Sequence, residues 1–414
     1  MVIYIPALSV GATALSLLKN TDFRFYNKDE SSFYHPYILF SAGHLMDVPD
    51  FAQKMGFNFS KGIYFGDSGG FQIAVKKLEN TEENRRKIFE FLENNTNISA
   101  NLDIPPYVSS LKGSSDSVFD ESLQLSYNNF KYFDEYRSGK TKYLNVLHGR
   151  NIGNWNKWYD KVKGFEFDGW AIGSIGADPS LSLQALFFLY MKGEMGKKSN
   201  KLFHLFGTSK PNMFIYLVYF CSLLERLKGI KIILTSDSSS PSKNSAFGGY
   251  YISHDFESFK CISYTNKFRI KEGETPNFSI KAKLPCTCDV CKNLTTNDIF
   301  VWNSRAYAHL TLHNILFFKN YIEIVKRIID TNNDELIYNL FPNSIVKNLK
   351  VIRQAFDVKN PVEQIQISGT RFSDNTKVAN SGEFFDYDSR TPEEHIIEET
   401  PDNTKVANSG EFFE

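Results

Sequence analysis

The chain has 414 residues, of which 42% are hydrophobic, enough for a sizeable core in one large domain or in two to three small ones. No apolar run is long enough to span a bilayer and no charged-then-apolar leader opens the sequence, so a soluble, cytoplasmic protein is expected. The formal net charge is zero, but residues 374–414 hold 11 acidic and three basic side chains, leaving 44 basic against 36 acidic in 1–373; a basic body keeps a nucleic-acid partner open.

Short apolar runs recur through the first 240 residues, each ending in Gly, Pro or a polar residue. In chain order they read IYIPAL (3–8), YILFSAG (37–43), GIYFGD (62–67), ISANLD (98–103), YLNVLHG (143–149), GWAIGS (169–174), KLFHLFG (201–207) and KIILTSD (231–237). Between them, stretches such as ENRRKIFEFLEN (83–94) and LQALFFLYMKGEM (183–195) carry helical character. Strands alternating with helices predict parallel βα units, and eight of them suffice for a TIM (β/α)8 barrel. An open doubly wound sheet fits the alternation too. The barrel is favoured because Asp67, Asp103, His148, Ser174 and Asp237 all fall at the C-terminal ends of these strands, which in a barrel share one mouth. Any one of them alone would fit a helix N-cap equally well.

After residue 240 the pattern changes. SDSSSPSKNSAFGGYY (236–251) reads as a polar loop, 252–283 as two or three short strands, and NILFFKNYIEIVKRIID (314–330) as a helix. The expected organisation is a barrel domain over 1–345 with a metal-binding subdomain at about 252–315, a C-terminal extension over 346–373, and an acidic tail over 374–414. The tail carries DNTKVANSGEFF twice, at 374–385 and 402–413; its low apolar content predicts mobility, with no catalytic role.

Five cysteines, an odd number, argue against a full disulfide framework. Cys286, Cys288 and Cys291 in a C-x-C-x2-C run, followed by a histidine, supply four tetrahedral ligands of the kind zinc takes in closed structural sites. Both His309 and His313 are within reach as the fourth ligand, one helical turn apart. Cys221 and Cys261 lie alone and are expected in the core.

GDSGGFQ (66–72) is the most specific string: two glycines behind an Asp-Ser pair let the backbone approach a flat ligand and leave a carboxylate at its edge. With NLD (101–103), LHG (147–149), AIGSI (171–175), TSD (235–237) and the cysteine-histidine cluster, in this order, the chain resembles the tRNA-guanine transglycosylase superfamily from about residue 60 to 320. The resemblance implies a TIM barrel with a zinc-binding insertion near its C-terminal end. It implies Asp237 as the nucleophile that attacks C1′ of the target nucleotide, and Asp67 as the acid/base partner, with Ser68 beside it. Asp103 matches the carboxylate that reads the guanine-like face of the base, and His313-Asn314 matches the zinc histidine with its following asparagine. Phe71 and Phe206 are candidates to sandwich the base, though both also fit a core.

The sequence departs from the family where the base and the polymer are held. His148-Gly149 stands where Gln-Gly is common, and Gly173-Ser174 where Gly-Gly is. Pro241-Ser242-Lys243 replaces a Pro-Thr-Arg that grips the tRNA anticodon loop, and the amino-terminal region is rewritten. A kept reaction centre with altered polymer contacts points to the branch of phages and DNA-modification clusters that inserts 7-deazaguanine into DNA; a phage-encoded member would act in the host cytoplasm. Exchange on tRNA, a non-catalytic partner subunit and an unrelated barrel hydrolase are the alternatives; retention of both Asp67 and Asp237 argues against a pure binder. Lys76-Lys77, Arg85-Arg86-Lys87 and Lys197-Lys198 are candidate phosphate contacts, and relatives suggest a homodimer.

Overall fold

A computed structural model describes residues 1–7, 23–107, 116–173, 178–208, 210–263, 282–300 and 303–367. Each of the eight apolar runs holds a strand that overruns its bounds by one residue at most: β1 (Val2–Pro6), β2 (Tyr37–Ser41), β3 (Ile63–Asp67), β4 (Ile98–Ala100), β5 (Lys142–Leu147), β6 (Gly169–Ile172), β7 (Leu202–Leu205) and β8 (Ile233–Ser238). Their near-continuous apolar character follows from burial on both faces, as in β1, where all five residues are buried.

All eight pair in parallel, in the order β1-β8-β7-β6-β5-β4-β3-β2. The order never reverses, which rules out a doubly wound sheet. A parallel bridge between Ala7 and Leu39 brings the two outer strands together, so the sheet is a nearly closed barrel of TIM-like α/β form.

Helices coat the outside. Pro211–Lys228 is apolar nearly all round because it is covered in turn by two later helices. Its Phe214 meets Phe318 of Ser304–Ile329 edge to face at 5.2 Å, and its Tyr216 hydroxyl accepts from Asn348 of Asn343–Ala355 at 2.8 Å. The stretch after 345 belongs to this coat: Gln184 donates to the Ile365 carbonyl, and the Ile367 N–H to Ser180, both at 2.8 Å.

The 236–251 segment is more ordered than a loop. β8 runs on to Ser238, a helix spans Ser240–Ala246, and β9 (Gly249–His254) pairs antiparallel with β10 (Phe259–Ser263). Pro241 sits in the first turn of that helix, where its missing N–H costs nothing. The register slips at Lys260/Cys261, and Cys261 is exposed rather than in the core; Cys221 is buried as expected. The remainder of the expected excursion (264–281) and the acidic tail lie outside the described residues. Among the described residues no helix is long and apolar enough to cross a membrane.

Candidate functional site at the barrel mouth

Asp67 ends β3 beside Ser41 of β2, and the DSGG turn follows. Gly69 has φ +84°, and a Cβ on it would fall 2.6 Å from the Gly43 backbone; one on Gly70 would fall 1.6 Å from the Asp103 carbonyl oxygen. The glycines therefore wedge the turn between the ends of β2 and β4, and this close approach brings Asp67, Ser68 and Asp103 together. The Ser68 hydroxyl points to Asp103 Oδ1 at 3.5 Å, a weak contact. Asp103 Oδ2 accepts from His148 Nε2 at 2.6 Å, with both side chains buried. His148 Nδ1 is buried and without a hydrogen-bond partner among the described residues. Gly173 lies against the imidazole, since a Cβ there would come within 2.7 Å of Cε1, and Gly149 packs on Trp155. Ser174 lies outside the described residues.

The Asp67 carboxyl is pushed up to about 6. Burial is the largest cause, the negative charge of Asp103 the next, and Asp237 adds to them, while the Gly69 N–H pulls the other way. A carboxyl that titrates near neutrality can give a proton and take one back at physiological pH.

Asp237, on β8, is buried and does not cap a helix. Its Oδ1 accepts the Gly207 N–H at 2.7 Å, from the turn that ends β7. Among the described residues Oδ2 has no hydrogen-bond partner, so one oxygen is held and the other is open. Thr235 and Asp237 alternate along β8 onto the same face, and both meet His204 of β7. Sequence reasoning missed His204. Its only signal was position: it precedes Phe206 by two residues in a strand, so the two share a face. Phe206 is partly buried, edge-on to His204 at 4.4 Å and to Phe65 at 6.2 Å, so it stands at the mouth rather than deep in the core. Phe71, on the short helix Gly70–Ala74, is also partly buried; no face-to-face pairing of the two rings is present.

The second cluster lies under β9. One ligand atom each from Cys286, Cys288, Cys291 and His313 falls within 4.8 Å of the others, an arrangement that can hold a metal ion. His313 Nε2 donates to the Tyr251 carbonyl at 2.8 Å, which turns Nδ1 toward the sulfurs, 3.2 Å from Cys291 and 3.6 Å from Cys288. That is the tautomer and orientation a metal-ligating histidine needs. Tyr250 stacks on the ring at 3.9 Å and donates its hydroxyl to Cys291 Sγ at 3.3 Å. Among these thiols Cys288 is pushed down to about 4, first by its hydrogen bond with Cys291, and the same bond pushes Cys291 up. His309 is outside the cluster, with its Nε2 accepting from Arg305.

Asn314, next to His313, joins the two sites. Its carbonyl oxygen accepts the Tyr251 N–H at 3.0 Å, and its amide donates to Ser245 and to the Gly249 carbonyl, each at 2.9 Å. These partners belong to the helix that follows Asp237 and to β9. The cluster is thereby tied to the chain leaving the candidate nucleophile.

The basic runs are mostly engaged locally. Arg85 pairs with Glu82 and lies over the Tyr132 ring, Arg86 pairs with Glu90, Lys87 with Glu83 and Asp47, and Lys197 with Glu194. The cation nearest His148 in sequence is Arg150, over the Tyr107 ring at 4.3 Å. No protein-family model matches the chain, and no curated protein matches it.

Proposed function

We propose that this protein exchanges a guanine in nucleic acid for a 7-deazaguanine base through a covalent Asp237–nucleotide intermediate, with DNA the favoured polymer. The observation that carries the reading is the convergence of Asp67, Asp103 and Asp237 on one barrel mouth, close enough that the other two both raise the Asp67 carboxyl. Cleavage of an N-glycosidic bond builds positive charge on the sugar, which a carboxylate can trap. Asp237 Oδ2 supplies the electron pair to C1′, and the C1′–N pair departs with the purine. Protonated Asp67 gives the leaving base its proton. The incoming base returns a proton to Asp67 as its ring nitrogen displaces the carboxylate, so the enzyme ends as it began. The Asp67 value near 6 suits a group that must work in both directions.

Asp103 is the reader of the base edge in this scheme. One of its oxygens already accepts from His148, yet each carboxylate oxygen has a second lone pair for an N–H donor. His148 Nδ1 adds a buried, unpartnered polar atom where the family commonly has Gln, so the inserted base is read by a pair of side chains rather than by a lone carboxylate. Three sulfurs and one correctly turned imidazole fit zinc, with no position left for substrate, so the metal's contribution is stabilising. The preference for DNA rests on the replaced residues at Pro241-Ser242-Lys243. A duplex target would have to be flipped out of the stack, at a cost of a few kcal/mol.

The test is incubation of the purified chain with labelled guanine or a labelled 7-deazaguanine and either DNA or tRNA. Label is expected in DNA. Label in tRNA alone would replace the polymer, and label in neither would remove the function.

A further inference from the structure

The histidine beneath the candidate nucleophile is fully buried, and nothing in the proposed chemistry so far uses it. His204 stacks on Phe65 at 4.2 Å, directly below the strand end that carries Asp67. Its Nδ1 is 2.7 Å from the Thr235 hydroxyl oxygen, and that hydroxyl is also 3.1 Å from the Phe203 carbonyl. Its Nε2, buried and without a hydrogen-bond partner among the described residues, is 3.3 Å from Asp237 Oδ1. A bare nitrogen lone pair against a carboxylate oxygen would be repulsive in a site of low dielectric. A proton on Nε2 would turn the same contact into an attraction.

We propose that His204 is a positioning residue for Asp237: its Nε2 proton and the Gly207 N–H together hold Oδ1, so that Oδ2 is the oxygen presented to the mouth. The carboxylate then meets C1′ with no rotation to find. When the covalent bond to the nucleotide breaks, the returning negative charge meets two donors already in place. This rests on Asp237 being the nucleophile, but the contact itself is independent of any reaction. The other titratable or charged groups acting on Asp237 are Asp67 from β3, Tyr4 from β1 and Lys243 from the helix after β8.

Two measurements on the full chain separate the positioning role from the function it serves. In protein labelled with nitrogen-15 histidine, the His204 signals, assigned by their loss in His204→Gln, should show Nε2 protonated at pH 7.5 and shifted in Asp237→Ala. An unprotonated Nε2 would overturn the proposal. In the exchange assay, His204→Gln, whose amide N–H reaches the Nε2 position, should keep the rate of adduct formation within about tenfold. His204→Phe, which keeps an aromatic ring on Phe65, should slow it by roughly 100-fold with KM changed only a few-fold. A His204→Phe variant as fast as the parent would also overturn it, whereas a protonated, Asp237-sensitive Nε2 in a chain without exchange activity would overturn the transglycosylase reading alone.

Discussion

The barrel mouth and the cysteine-histidine cluster are built from similar numbers of polar side chains and handle them in opposite ways. In the cluster each histidine nitrogen has a defined task, and the thiol of Cys291 takes a hydroxyl from Tyr250. At the mouth, groups are left short: Asp67 sits among two other aspartates, His148 Nδ1 lacks a partner, and Asp237 holds one oxygen and opens the other. A buried polar atom without a partner costs about 1–3 kcal/mol, so the mouth carries a cost that a bound ligand could relieve. One region has side chains turned to hold a metal ion; the other leaves buried polar groups short of partners.

Substitutions can break that contrast, and the largest expected effect is on chemistry. Asp237→Ala should lower exchange by at least ~1,000-fold with metal content unchanged; the Gly207 N–H that it leaves unpaired should lower the melting temperature by only about 1–4 °C. Gly70→Ala should cost more than about 2 kcal/mol of stability, measured by urea unfolding. The Asp103 carbonyl oxygen at 1.6 Å from the new Cβ belongs to the backbone and cannot swing aside, so the mouth must open.

Cysteine substitution tests the closed region. Cys291→Ser, or prolonged chelation, should remove one metal ion per chain and lower the melting temperature by roughly 3–4 °C, the equivalent of about 2–3 kcal/mol in a domain of this size. Elemental analysis that finds no metal in the parent protein would dissolve the contrast.

The most gradual effect is the pH dependence of Asp67. A carboxyl raised from 3.8 to about 6 in the fold contributes stability that is fully present below its unfolded value and is lost as pH rises through about 6. Asp67→Asn should therefore gain on the parent between pH 4 and pH 8, by at most about 3 kcal/mol and less for the partly exposed edge of the group. Unfolding curves at the two pH values measure it; a gain in the opposite direction would mean that Asp67 is stabilised as the anion.

Much of this architecture was legible in the sequence because buried parallel strands are short apolar runs with Gly or polar ends, and all eight runs hold a strand to within one residue. The spacing of Cys286, Cys288 and Cys291 likewise marked a cluster without any knowledge of register. What stayed hidden depends on register. The Asp103–His148 bond requires that β4 lie beside β5, with Ala100 opposite Leu144. The contact of His204 with Asp237 requires the alignment of His204 with Thr235 across β7 and β8. Spacing alone left His309 and His313 open; the resemblance implied His313, and that turn of the long helix does face the cysteines. The run of serines after Asp237 concealed a short helix, since Ser and Pro mark a helix start as readily as a loop.

The most direct measurement is mass spectrometry of the chain quenched in acid during turnover with a guanine-containing oligodeoxynucleotide. A covalent protein–DNA adduct should form, map by peptide digestion to Asp237, and discharge when a 7-deazaguanine base is added. An adduct on any other residue, or exchange that proceeds while Asp237→Ala remains fully active, would contradict the assignment of Asp237 as the nucleophile.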